Sequence, residues 1–295
     1  MYLQHFQLQE SPFGLTPDIG FTWAAPSHQE ALSTLLMALR HGEGFVKVTG
    51  EVGAGKTLLC RTLLGRLAQA AEDGSSTVTA YIPNPQLTPR EALRCLAKEL
   101  GLRCDRRLQV HDLHAVVASG LLKFAQAQQR VVLCIDEAQA LPLETLETLR
   151  LLSNLESGKR KLIQIVLFGQ PELDLLLRAP QCRALASRIA FSAHLAPLNR
   201  ADFRHYLCHR LAVAGWRGPE VFTPAARLLL WWASGGVPRR INILAHKGLI
   251  LASMQGLCEV QWHHAWSAWR DSAWHGPVWS RSRRLSALDL LGAAS

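Results

Sequence analysis

The stretch Gly50-Glu51-Val52-Gly53-Ala54-Gly55-Lys56-Thr57 decides the fold predicted for this chain. It matches the pattern G-x-x-x-x-G-K-[ST], whose glycines let successive backbone N–H groups turn towards phosphate oxygens. An apolar run at residues 45–49 precedes it, and leucines at helical spacing follow over residues 57–70. The order of strand, glycine loop and helix predicts a P-loop that binds ATP.

Two side chains of this loop have predicted roles in binding the nucleotide. The Lys56 ammonium is expected to bridge the β- and γ-phosphates, and the Thr57 hydroxyl is expected to ligate Mg²⁺. The predicted cofactors are therefore ATP and Mg²⁺. The predicted nucleotide-binding residues of the loop are Gly50, Glu51, Val52, Gly53, Ala54, Gly55, Lys56, Thr57 and Leu58.

A second apolar run, residues 131–135, ends in Asp136 and Glu137. In parallel sheets, ligands bind at the carboxyl ends of the strands, which is where this pair is expected to lie. We expect Asp136 to hold the Mg²⁺ shell and Glu137 to orient and deprotonate the attacking water. An acidic start of a helix is the structural alternative for such a pair. The glycine loop upstream favours the catalytic interpretation.

The rest of the chain alternates apolar runs with helical patterns, which predicts a parallel α/β sheet flanked by helices. After Pro197, three helical patterns interrupted by glycine and proline predict a smaller all-α domain. The predicted strands are residues 45–49, 77–82, 131–135, 162–168 and 189–195. The predicted helices are residues 57–70, 111–128, 143–155, 201–214, 224–234 and 238–254, with a further helix that Thr88 caps.

Composition narrows the class of protein further. The chain has 295 residues, 48% of them hydrophobic, and no apolar run near the roughly 20 residues that span a bilayer. Its start does not resemble a signal peptide. Seven scattered cysteines without a C-x-x-C pair are typical of a reducing compartment. We therefore expect a cytoplasmic location. The net charge of +9 leaves nucleic acid open as a partner.

Eight of the nine tryptophans lie at or beyond Trp216. Trp262, Trp266 and Trp269 are spaced to share one face of a helix. Packing of this face onto the small domain is the favoured expectation, with a membrane- or partner-binding stripe as the alternative.

Several ordered motifs together resemble the AAA+ ATPases, and more narrowly the ExeA/GspA-type secretion ATPases. The resemblance extends over about residues 1–265 and includes shorter members that serve mannose-sensitive haemagglutinin (MSHA) type IV pili. It rests on the glycine loop and on residues 11–17, 27–32, 42–45, 135–139 and 168–173.

The resemblance implies three further site residues. Gln170 corresponds to the polar sensor that ends the strand between the two motif strands. Arg188 corresponds to an arginine finger that reaches the neighbouring subunit, with Arg183 as the alternative. Arg239, in the motif after Gly235-Gly236, corresponds to the lid arginine that senses the γ-phosphate.

The resemblance also implies an organisation in four parts. Residues 1–40 would contribute to the base pocket through Phe13, Leu15 and Thr16; residues 41–196 would form the AAA+ ATPase core. Residues 197–272 would form the α-helical lid, and residues 273–295 a flexible tail.

The function implied is that of a homo-oligomeric ATPase that supports assembly of a type IV (MSHA-like) pilus or a related secretion system. ExeA/GspA-type members carry a membrane span and a peptidoglycan-binding domain beyond the ATPase, and we expect the shorter form that lacks them. A location at the inner membrane through a pilus or secretion assembly protein is then expected. The alternative is a DNA-binding AAA+ ATPase of the transposition target-selector type, with DNA the less favoured partner.

Overall fold

The computed structural model describes residues 2–15, 20–21, 23, 25–72, 76–105, 107–157 and 160–272. The described residues group into two compact units. The sheet unit comprises the described residues of Pro26–Glu51 and Gly55–Ala196, and the helical unit comprises those of Met1–Ala25, Val52–Ala54 and Pro197–Ser295. The N-terminal boundary between the units follows Ala25.

The strands that the structure describes lie in the sheet unit. In chain order, β1 to β7 are Phe45–Gly50, Thr77–Ile82, Arg130–Ile135, Glu156–Ser157, Arg160–Lys161, Gln164–Gly169 and Ile189–Leu195. Five of these described strands form one sheet in the order β2-β3-β6-β1-β7, with every neighbouring pair parallel. The short strands β4 and β5 pair antiparallel beside it. The prediction of a parallel P-loop sheet flanked by helices is confirmed.

The helices divide between the units, with α2 to α8 in the sheet unit and the others in the helical unit. The described helices, α1 to α12, are Tyr2–His5, Pro26–His41, Lys56–Glu72, Pro89–Glu99, Val110–Gln126, Leu143–Ser153, Glu172–Leu177, Arg183–Ala186, Arg200–Val213, Pro224–Ser234, Pro238–Met254 and Trp262–Arg270.

Local sequence signals account for several of these boundaries. Thr88 caps α4: its side chain accepts a hydrogen bond from the Glu91 N–H, and the Glu91 side chain accepts one from the Thr88 N–H. This reciprocal capping box satisfies two backbone donors that the helix leaves unpaired. Strand β6 is buried along its whole length, and β3 is buried after its first residue. Burial on both faces explains why their sequences read as continuous apolar runs.

The sheet order brings three chain segments to one edge. Strand β1 pairs with β6, and β6 pairs with β3. Because parallel strands end at the same edge of a sheet, the glycine loop, Asp136 and Gln170 all emerge side by side. The edge formed by these segments is the candidate site.

The helical unit packs its N-terminal segment against the C-terminal helices. Buried Arg210 donates from Nε to the Pro12 carbonyl oxygen at 2.5 Å, and its guanidinium lies 4.7 Å from the centre of the Phe21 ring. The Phe13 ring is 2% exposed and packs edge-on against Phe222. The base-pocket role of Phe13 stays a prediction.

Helix α12 corrects the tryptophan prediction in part. Trp269 packs against the core of the helical unit, as expected, but Trp262 is 58% exposed and Trp266 is 43% exposed. The buried face of the helix is formed instead by Ala265 and Ala268, whose small side chains let it approach its neighbours closely. The tryptophan stripe is therefore offset from the buried face.

Among the helices that the structure describes, none combines the length and the apolar character that a bilayer crossing requires. Thr16 and the predicted tail, residues 273–295, lie outside the described residues.

Candidate nucleotide-binding site

The glycine loop links β1 to α3, and Lys56 is the first residue of that helix. Gly53 and Gly55 have φ angles of +83° and +99°, a region that glycine enters without steric cost. Lys56 is 4% exposed, and its ammonium donates to the carbonyl oxygens of Gly50 at 2.8 Å and Glu51 at 3.0 Å. A buried cation and the amino end of a 17-residue helix thus converge on one loop, which is an arrangement that binds anions.

Thr57 joins the loop to the end of β3. Its hydroxyl donates to Asp136 Oδ2 at 2.6 Å, and the other oxygen of Asp136 accepts from the Glu137 N–H at 3.0 Å. A hydroxyl beside a buried carboxylate is a set of hard oxygen donors that fits Mg²⁺, which usually takes its other ligands from phosphate and water. The residues present therefore fit the predicted metal.

Glu137 is held in an unusual conformation. Its φ of +52° is left-handed, which costs of order 1–3 kcal/mol in a residue with a side chain and is often found at functional sites. Its Oε2 accepts from Gln139 Nε2 at 2.6 Å and from Gln170 Nε2 at 2.9 Å. Gln170 thus reaches the carboxylate directly from the end of β6, the strand between β1 and β3.

Burial acts to raise the pKa of each of the two adjacent carboxyl groups, and hydrogen bonds act to lower it. Burial raises the pKa of Asp136 above its usual value, although the hydrogen bonds from Thr57 and from the Glu137 N–H oppose this. Burial also acts to raise the pKa of Glu137, but the hydrogen bonds from Gln170 and Gln139, with the charge of Lys56, lower it overall. Glu137 is therefore ionised at neutral pH and able to accept a proton from water.

Lys56 lies close to these carboxylates, and its own pKa is shifted. Burial lowers the pKa of Lys56, and Glu137 and Asp136 partly oppose the decrease. Burial makes the Lys56 ammonium easier to deprotonate. Further negative charge nearby, such as that of a phosphate, would stabilise its charged form.

The predicted arginines lie in different surroundings. Arg183 and Arg188 are both exposed in the sheet unit, and Arg188 directly precedes β7. Within the helical unit, the Arg239 N–H donates to the Gly53 carbonyl oxygen at 3.2 Å. A Cβ at Gly53 would lie 2.3 Å from the Arg239 Cβ, so that only glycine fits at this position.

Two contacts of the site have no counterpart in the predictions. Gln139 contacts Glu137, and His28 Nε2 would lie 2.7 Å from a Cβ at Gly55. The contact of Gln139 had one signal in the sequence, which is its position two residues after the predicted catalytic glutamate. His28 is distant in sequence, and only the packing of α2 reveals it.

Comparisons with known proteins show what this chain is similar to. A family model for an AAA domain matches residues 39–177. General secretion pathway protein A of Aeromonas hydrophila is 43% identical over 256 residues, which are 87% of this chain. The chain spans about half of that protein, 46% of its length.

Solved structures share the fold at low sequence identity. The ORC2 protein of Aeropyrum pernix, solved as ADPNP–ADP complexes, superposes with a TM-score of 0.61 at 20% identity, over 85% of this chain and 68% of that one. The RuvB branch migration motor of Thermotoga maritima gives a TM-score of 0.55 at 16% identity, over 82% of this chain and 67% of that one. At such identities the likeness shows the fold alone.

Proposed function

Because this chain has the AAA P-loop fold and is related over most of its length to a general secretion pathway protein A, we propose that it is an ATP-hydrolysing ATPase of a secretion system. The observation that carries the proposal is the 2.6 Å hydrogen bond from Thr57 to Asp136. It brings together the Thr57 hydroxyl and the Asp136 carboxylate, the two types of group that hold Mg²⁺ in P-loop ATPases.

In this proposal the loop binds the triphosphate, and the Lys56 ammonium exchanges its carbonyl partners for the β- and γ-phosphate oxygens. Thr57 and Asp136 hold Mg²⁺, which would neutralise charge on the phosphates. Glu137 orients a water molecule whose oxygen bonds to the γ-phosphorus. The bond from that phosphorus to the β–γ bridging oxygen breaks, ADP leaves, and the proton of the water passes to Glu137.

Three more residues complete the proposed site. Gln170 acts as the sensor, and its hydrogen bond to Glu137 supports this role. Arg239 senses the γ-phosphate, which is supported by its contact with Gly53 in the glycine loop. Arg188 is the finger offered to a neighbouring subunit in a homo-oligomer, and its exposure before β7 supports this.

Lys56→Ala tests the binding part of the proposal. We expect a fluorescent ATP analogue to bind at least about tenfold more weakly, a loss of about 1.4 kcal/mol or more, because the main cation at the phosphates is removed. Lys123→Ala, at an exposed position on α5, is the matched control and should bind as the wild type does. An unchanged Kd for Lys56→Ala would show that nucleotide binds elsewhere.

The finer proposal is a role in assembly of an MSHA-like type IV pilus, with an inner-membrane assembly protein as the partner. The relation to general secretion pathway protein A supports a secretion role, and the pilus is a narrower choice within it. Genes for pilus assembly beside this one would favour the proposal, whereas a transposase gene would favour the DNA-binding alternative.

One observation favours DNA binding as a second candidate function. Two grooves of about 510 and 670 Å³ adjoin at the amino ends of the strands, the edge of the sheet opposite the candidate site. They share Arg40 and Arg130, and none of the described residues that line them is acidic. Their other cationic residues are Arg66, Arg160 and Lys161. Such a surface suits the phosphate backbone of a nucleic acid.

We expect duplex DNA to bind weakly and to dissociate steeply as salt increases, since unspecific binding to phosphates releases counterions. Fluorescence anisotropy over a salt series should give a slope that is smaller by about one in Arg40→Ala and in Arg130→Ala, because each variant removes one cation that neutralises a phosphate. Arg217→Ala, exposed in the helical unit, is the control. Tight, sequence-selective or ATP-dependent binding at physiological salt would instead favour the DNA-binding alternative.

A further inference from the structure

The Gln139 side chain links two elements of the candidate site. Its Nε2 donates to Glu137 Oε2 at 2.6 Å, and its Oε1 accepts from the backbone N–H of Gln170 at 2.9 Å. Gln170 closes the ring, because its own Nε2 donates to the same Glu137 oxygen at 2.9 Å. One amide therefore fixes the catalytic carboxylate and the end of β6 together.

Gly169 provides the space for this link. A Cβ at position 169 would lie 3.2 Å from Gln139 Oε1 and 2.7 Å from a methyl carbon of Leu173. Glycine at the end of β6 thus lets the Gln139 carbonyl approach the backbone of the strand. Both the packing around the link and its hydrogen bonds therefore depend on glycine at position 169.

The two amide donors occupy the same carboxylate oxygen. Among the described residues, no protein group donates to Glu137 Oε1, so this second oxygen is left to accept a hydrogen bond from water. Glu137 has a left-handed backbone, and its carboxylate is held by the two amides. The orientation of the carboxylate is therefore set before any substrate arrives.

We propose that Gln139 is a positioning residue that, together with Gln170, holds the Glu137 carboxylate so that Oε1 faces the attacking water. This inference rests on the proposed ATPase function and assigns to Gln139 a role that acts through Glu137. Preorganisation of this kind raises the rate of the chemical step and leaves binding of the substrate unchanged.

Two variants separate this role from a merely structural one. Gln139→Met keeps the length of the side chain and removes both hydrogen bonds. Gln139→Glu keeps an oxygen that can accept from the Gln170 N–H, but it replaces the donor to Glu137 with a second carboxylate. We expect both variants to bind the ATP analogue within about twofold of the wild type, kcat to decrease about tenfold in Gln139→Met, and kcat to decrease further in Gln139→Glu because like charges repel.

The opposite order would overturn the proposal. If Gln139 only anchored the end of β6, Gln139→Glu would turn over like the wild type and only Gln139→Met would be slow. A parallel loss of ATP affinity in both variants would also contradict a positioning role. Gln126→Met, at the exposed last residue of α5, is the matched control and should leave kcat unchanged.

A swap of the two side chains tests the contact without turnover. The melting temperature of Gln139→Glu is expected to be below that of the wild type, and the double variant Glu137→Gln/Gln139→Glu should recover most of that loss. The swap restores an amide facing a carboxylate but moves the base away from position 137, so kcat should stay low. Additive shifts in melting temperature would show that the two side chains do not interact, and the proposal would fail.

The two measurements also distinguish the inference from the function beneath it. A wild-type chain that binds ATP without hydrolysing it would remove the proposed ATPase activity and the catalytic role of Gln139 with it. The melting temperatures of the single and double variants would still decide whether the Gln139–Glu137 contact exists. Turnover by the wild type with unchanged kcat in both Gln139 variants would leave the ATPase proposal intact and remove only the positioning role.

Discussion

Arg188→Ala is expected to bind ATP almost as the wild type does and to hydrolyse it about 10³–10⁵ times more slowly, the range for arginine fingers in related chemistry. The guanidinium is permanently charged and can form two parallel hydrogen bonds with phosphate oxygens, so it stabilises charge that develops in the transition state. Arg188 is exposed and directly precedes β7, and no salt bridge to it is found among the described residues. The proposed contact with a neighbouring subunit requires this exposure.

Mixing two inactive variants tests whether the finger acts in trans. Arg188→Ala retains Glu137, and Glu137→Gln retains Arg188, so some interfaces of a mixed oligomer would combine both intact residues. Phosphate release should then reappear in the mixture. If the mixture stays inactive while the two variants demonstrably co-assemble, Arg188 does not act across an interface.

Arg183→Ala distinguishes the alternative finger. Arg183 lies at the start of α8 and is exposed as Arg188 is, so the structure does not choose between them by exposure. The arginine whose variant is rescued by mixing is the finger. Full turnover by a dilute wild-type monomer would contradict both assignments.

Glu137→Gln is expected to bind ATP and to hydrolyse it about 10²–10⁴ times more slowly, the usual loss when a general base is removed. The substitution keeps the shape of the side chain, and it leaves the Thr57–Asp136 hydrogen bond in place. Nucleotide binding should therefore persist, and phosphate release under saturating ATP is the measurement.

Glu144→Gln provides the control for this change, since Glu144 is an exposed carboxylate in the first turn of α6. It should turn over like the wild type. Turnover by Glu137→Gln close to the wild-type rate would remove Glu137 from the mechanism.

Much of the sheet unit could be predicted from the sequence because local signals agreed with the tertiary structure. The capping box at Thr88 and the continuous apolar runs of β3 and β6 each report a local requirement that the fold also imposes. Lys56, Thr57, Asp136 and Glu137 could be placed together because their strands end at one edge of a parallel sheet.

The link through Gln139 could not be predicted in the same way. It depends on β6 lying beside β3, on the left-handed conformation of Glu137 and on the absence of a side chain at Gly169. None of these leaves a periodic pattern in the sequence around Gln139. The exposure of Trp262 and Trp266 was missed for a related reason, because Ala265 and Ala268 form the buried face of α12 and the spacing of the tryptophans conceals it.

Phosphate release from ATP and Mg²⁺ by the purified wild-type chain, measured beside Lys56→Ala over a range of protein concentrations, decides whether the glycine loop is the site of ATP hydrolysis. We expect turnover by the wild type that increases per subunit as oligomers form, and no turnover above background by Lys56→Ala. Equal rates for the two proteins, or no hydrolysis by the wild type at any concentration, would contradict the proposed ATPase function.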